Sequence, residues 1–267
     1  MTAPARRAPA SAQRAGAPGV RELAAKATRD GILRAAIKVF AKHGFDGGSV
    51  EKISKAAKSY DRMIYYYFGS KEGLFIEVLE ETYRRFNAAE SELVLDESRP
   101  VQALTAVTRF MWGYYQKNPE FITLLNTENL HRGVHIAKSL RARDYSSDAI
   151  AVLARVLQSG AAQGVFRGDV AARDVYLMIA SMGYFYLSNR FTLSAFLGQP
   201  LESPDAMAHW EGFLIESVLR TVAAEPTDAA RKRNPVWAVD PHPCPLPQAG
   251  EGAMRLPLHR TRRRGLG

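Results

Sequence analysis

From residue 28 to residue 224 apolar positions recur at three and four, and nowhere do they alternate over a strand's length. Ile32, Ala36, Val39 and Phe40 predict a helix from about Thr28 to His43, stopped by Gly44. Ile53 with Ala56 and Ala57 predicts a short second helix that Ser49 can cap and whose small residues admit a close neighbour. Ile64 and Phe68, four apart, predict a third that ends at Gly69. Ser70 and Lys71 open a fourth, running through Leu74, Phe75, Val78 and Leu79 toward Leu95. Two short helices about a tight break, with a third packed behind, make a helix-turn-helix.

The rest of the chain repeats the helical period. Pro100 suits a first helical position before Leu104, Val107, Phe110 and Met111, and Asn118-Pro119 breaks the run. Phe121, Leu124, Leu125 and Asn129 mark the next helix, Asp144 to Ala162 another, and Asp169 or Ala171 opens one through Val175, Ile179, Met182 and Phe185. Pro204 begins a last helix carrying Met207, Trp210, Leu214, Ile215, Val218 and Leu219. The predicted fold class is all-α: an N-terminal three-helix helix-turn-helix domain at 28–78, then a helical domain at 79–224.

The third helix carries more than a core stripe. With Ile64 and Phe68 inward, Arg62, Tyr65 and Tyr66 face elsewhere. Such a face suits a DNA groove, since arginine can bridge guanine O6 and N7 and tyrosine can reach phosphates or thymine methyls. Lys71 falls in a helix's first turn, beside N–H groups that favour an anion.

Residues from about 28 to 78 resemble the DNA-binding domain of the TetR family of transcriptional repressors. The resemblance rests on Thr28-Arg29-Asp30, Ile32 to Ala36, Phe40 to Phe45, Ser49-Val50, Ile53, Ala56-Ala57 and Ile64 to Glu72. It implies phosphate contacts from Ser49, Tyr66, Tyr67 and Lys71, and base reading by Arg62, Met63 and Tyr65. It also implies a homodimer, a double-stranded operator of near-palindromic sequence, and a small-molecule effector that releases the DNA. The turn departs from the family pattern: Lys58-Ser59-Tyr60 stands where Gly-Val-Ser is usual. Lys58 is therefore expected to bear the steric cost of a left-handed conformation, and Asp61 or Ser59 to cap the reading helix.

Charge modifies this picture only locally. Of the formal net charge of +9, eight units lie in residues 1–27 and 225–267, so the basic balance is a property of the ends. Phosphate attraction is expected from Lys52, Lys55, Lys58, Arg62 and Lys71. Residues 1–27, rich in Ala, Pro and Arg, read as a disordered basic arm, either a solvated tail or one that lies along a groove. Residues 225–267, with prolines at 235, 241, 243, 245 and 247, read as a disordered Pro/Arg-rich passenger.

The lone Cys244 excludes a disulfide framework and a cysteine metal cluster, which fits a cytoplasmic protein. The most apolar stretch, Val175 to Leu187, is too short to span a bilayer.

Tyr184, Phe185, Tyr186, Phe191, Trp210 and Phe213 exceed what one stripe can bury; they are either ordinary core or, as the resemblance implies for an effector-binding and dimerisation domain at 79–224, part of a pairing of the last two helices with their copies. Phe110, Tyr114, Glu128, His131, Met178 and Tyr184 are the candidate effector lining. Glu128, His131 and His135 also have a spacing that a zinc or nickel ion could use, but Gly133 weakens that helix. They are read as a polar rim, with no metal and no cofactor.

No phosphate-cradling glycine loop, HExxH, CxxC or GxSxG occurs, so the chain is expected not to be an enzyme. The alternative reading is a sequence-independent or architectural DNA binder driven by its basic ends. Its affinity would fall with salt equally for every sequence.

Overall fold

The computed structural model describes residues 19–141 and 144–224, with the backbone alone for 144–149. Residues 1–18 of the expected arm and the whole expected tail at 225–267 lie outside that description. Nine α-helices account for nearly all of what is described: α1 Val20–Gly47, α2 Val50–Ala57, α3 Asp61–Phe68, α4 Lys71–Ser91, α5 Pro100–Lys117, α6 Pro119–Leu130, α7 Asp144–Ala162, α8 Ala172–Leu197 and α9 Pro204–Val222. One 3-10 turn, Ile136–Lys138, follows α6. Among the described residues the sole β pairing is an isolated antiparallel bridge between Phe166 and Ala223.

Helix α1 begins at Val20, eight residues before the expected start. Its first two turns carry Glu22 and three alanines, which favour helix without any buried face. At Gly44 the chain takes φ 67°, ψ −178°, open essentially to glycine alone, and this break turns Phe45 onto Phe40 and Phe75. Helix α4 ends at Ser91, short of Leu95.

The junction of α2 and α3 is built around Lys58, at φ 51°, ψ 44°. Its N–H donates to Lys55 O and that of Ser59 to Ser54 O, the paired bonds of a Schellman motif. The expected cap of α3 is absent: Tyr60 holds the N-cap position and no side chain accepts there. Asp61 instead accepts from the Ser54 hydroxyl, tying the two helices together. Consequently Ser54 is the buried neighbour of Ile53, while Ala56, expected inward, is exposed.

Where α4 starts, the Ser70 hydroxyl accepts from Gly73 N at 2.9 Å. Gly73 presses against the carbonyl of Phe68, leaving no room for a Cβ. That contact fixes α3 against α4.

Two cores result. The N-terminal one joins Ile32, Ala36, Phe40, Ile53, Ile64, Phe68, Leu74, Phe75 and Val78, and it takes in Leu124 from α6. The other gathers α5, α7, α8 and α9 around Leu104, Met111, Trp112, Leu153, Ile179, Leu214 and Val218. Because Leu124 is fully buried in the first core, α6 belongs energetically to both halves.

Candidate nucleic-acid interface

Helix α3 offers a two-sided geometry. Ile64 and Phe68 are buried, while Tyr65 is 53% and Tyr66 77% exposed. Arg62 is exposed, its guanidinium 5.3 Å from the ring centre of Tyr60, which itself stands open. Two expected contacts are more recessed: Met63 and Tyr67 are half-buried against the N-terminal core, with Tyr67 edge-on to Tyr66 at 4.9 Å. Lys55 is exposed on α2. Ser49 caps α2, accepting from Lys52 N at 3.2 Å, and the Lys52 ammonium donates to Gly47 O at 2.8 Å. Arg62, Tyr65 and Tyr66 thus form an open face of basic and aromatic groups on a rigid helix, the chemistry that base edges and phosphates demand.

Lys71 opens α4 and is half-buried. Its ammonium sits 4.6 Å from the ring centre of Phe45 and donates to Asp46 O at 3.3 Å. The sequence placed it as a phosphate anchor without revealing that a ring holds it.

The candidate effector lining is divided. Phe110 and Tyr114 pack with Phe86, at 5.6 and 5.0 Å between ring centres, and Tyr114 meets Phe121 edge-on. Burial pushes the Tyr114 phenol up. Met178 is half-buried on the second core, and the Tyr184 hydroxyl donates to Asn126 Oδ1. Tyr186, expected at a subunit interface, is instead core, stacked on Trp210 and edge-on to Trp112.

Of the six, Glu128 lines a small cavity. It borders a space of about 120 Å³ with Leu79, Tyr83, Leu125, Asn129, Gly133 and Ile136. Tyr83 there has its phenol pushed up to about 12, chiefly by burial. A larger cavity of about 260 Å³, bounded by Leu157, Arg167 and Val170 among others, includes none of the six.

Glu128 also has internal partners. Its carboxylate accepts from the N–H groups of His135 and Ile136 at 2.8 and 2.9 Å, and lies 2.7 Å from His135 Nδ1. The His131 ring lies edge-on to His135 at 5.2 Å between centres, with Nδ1 2.8 Å from Thr127 O and Nε2 3.4 Å from the Asp46 carboxylate. Among the described residues no group of three His, Cys, Asp or Glu could hold a metal ion. Among the described residues no helix is long and apolar enough to cross a membrane.

Known proteins align with both halves. Residues 32–78 match the family described as bacterial regulatory proteins, tetR family, and residues 100–218 match the tetracyclin repressor-like C-terminal domain. The HTH-type transcriptional repressor NicS of Pseudomonas putida is 54% identical over 202 residues, covering 76% of this chain and 95% of that protein. The HTH-type transcriptional repressor SCO4008 of Streptomyces coelicolor is 28% identical over 163 residues, covering 59% of this chain and 77% of that one. A crystal structure of a TetR transcriptional regulator from Chloroflexus aurantiacus shares the fold, with a TM-score of 0.55 at 20% identity over 76% of this chain and all of that one. With an open reading helix on a helix-turn-helix, and an all-helical domain behind it that matches along nearly its whole length, the chain belongs to the tetR family of bacterial regulatory proteins and is a DNA-binding regulator of transcription.

Proposed function

We propose that the chain is a homodimeric repressor that occupies a near-palindromic double-stranded operator and leaves it when a small molecule enters the helical domain. The observation that carries the reading is the open Arg62, Tyr65 and Tyr66 face of α3, opposite a buried Ile64–Phe68 stripe. In this reading Arg62 and Tyr65 read bases, with Met63 at their flank. Ser49, Tyr66, Tyr67 and Lys71 hold phosphates, and Lys55 adds phosphate attraction. The repressor names of the relatives support the sign of regulation.

Exposed Phe185, Phe191, Phe196 and Leu197 on α8 and Phe213 on α9 support pairing between two copies. Two reading helices then address two half-sites, which one subunit cannot do. For the effector, the cavity beside Glu128 is the point of entry. Phe110, Tyr114, His131, Met178 and Tyr184 would reach a ligand only if their present packing parts.

The test is selection of duplexes from a random-sequence library by the purified protein. The expected product is a two-fold repeated half-site. Arg62→Ala should then weaken the selected site by about 1–3 kcal/mol and relax the choice at one base position, a larger loss than on random DNA. Recovery of no preferred sequence, with affinity falling equally with salt for all duplexes, would favour the architectural reading instead.

A further inference from the structure

The segment after α6 reaches back to the DNA-binding half. Arg132 and Gly133, at φ 59° and 73°, turn the chain so that His135 falls beneath α6, 4% exposed, against a Glu128 that is 6% exposed. There the His135 ring meets Phe45 at 4.4 Å and Phe75 at 5.0 Å between centres. Phe45 is the ring under the Lys71 ammonium. His131 adds an edge contact to Phe45 at 5.5 Å, and Lys138 pairs with Glu72, the residue next to Lys71, drawing that carboxyl below its ordinary range. Ser139 donates to Glu80 at 2.6 Å, farther along α4. A buried carboxylate is costly unless its lone pairs are occupied, and three donors occupy those of Glu128. The pair therefore defines where His135 lies.

We infer that His135 is a positioning residue for DNA binding: held by Glu128, it clamps Phe45, and Phe45 sets the ammonium of Lys71 at the phosphate surface. The chain of contact is continuous from the carboxylate to the lysine, and each link is a ring or hydrogen bond with a defined orientation. Without the His135 ring, Phe45 has room to rotate, and the lysine loses the platform that holds it beside the first turn of α4. Glu128 also borders the small cavity, so the clamp and the cavity share one side chain. The inference rests on the proposed phosphate role of Lys71, and the experiment separates the two.

The experiment measures binding to a random-sequence duplex by fluorescence anisotropy across a salt series. The proteins are the full chain, Lys71→Ala, His135→Ala and the double variant, each checked for helix content and melting. Lys71→Ala should reduce the slope of log affinity against log salt by about 1 per subunit, the signature of one lost phosphate contact. His135→Ala should reduce it by a similar amount although it touches no DNA, and the double variant should match Lys71→Ala alone. A purely structural loss would lower the melting point without changing the slope. If His135→Ala does not fold, Phe45→Leu takes its place in the same cycle, with the same expected equality. A full slope in the folded His135→Ala protein, or effects of the two sites that add, would overturn the inference. A full slope in Lys71→Ala would remove the phosphate role itself, and the inference with it.

Discussion

Lys58 offers a direct measure of how far this helix-turn-helix departs from ease. A residue with a Cβ in the left-handed region bears about 1–2 kcal/mol that glycine does not. Glycine gives back about 0.5–1 kcal/mol through the greater freedom of its unfolded chain. At φ 51°, ψ 44°, with its N–H and that of Ser59 committed to the Schellman bonds, Lys58 cannot move to a cheaper conformation without unpairing the end of α2. Lys58→Gly should therefore stabilise the protein by about 0.5–1 kcal/mol. Lys58→Ala, which loses the same charge but keeps the Cβ, should fall about 1 kcal/mol below Lys58→Gly. For a cooperative unit of this size that gap is about 2–4 °C in melting temperature. The assay is thermal unfolding of the three proteins at one fixed concentration, because association shifts the midpoint. Both substitutions should weaken binding to random-sequence DNA alike, since each removes one cation near the phosphate surface. An alanine variant that melts at or above the glycine variant would refute the argument, for it would show that the Cβ is not what strains this turn.

Other expectations follow from the same geometry. Gly73→Ala should destabilise the protein by about 1–3 kcal/mol, because its Cβ would meet the Phe68 carbonyl rather than a yielding side chain; denaturant titration checks this. Tyr83, whose phenol is raised to about 12, keeps its proton when folded while an unfolded tyrosine releases it near pH 10. The unfolded chain then binds fewer protons, so stability is intact below about pH 10 and falls through about pH 12; Tyr83→Phe should make this decline shallower in urea melts. Phe213→Asp, at a residue 47% exposed on α9, should shift the protein to single subunits in analytical ultracentrifugation and weaken operator binding with it.

What the sequence disclosed depends on how local each cause is. The bounds of α5 and α7 were legible because proline, asparagine and the apolar period act within a few residues. The first turns of α1 were not, since alanine-rich helix without a buried face leaves no periodic trace. The inward face of α2 was misjudged by one position for a related reason. Alanine is the more apolar residue, but the Asp61 carboxylate meets the Ser54 hydroxyl, and that bond makes serine the buried neighbour of Ile53.

Glu128, His131 and His135 show the limit most plainly. Their spacing places them on one face only if the helix continues, and Arg132 with Gly133 ends it. Once turned, His135 answers to Phe45 and Phe75, ninety and sixty residues away in sequence, and to no period in its own segment. The open reading face of α3 needs only its own helix to be recognised. The seating of Lys71 depends on contact between halves of the chain, one of which lends Leu124 to the core of the other. For that reason the exposed face of α3 could be named from the sequence, whereas the contacts that the helical domain makes with Phe45 beside it had to come from the fold.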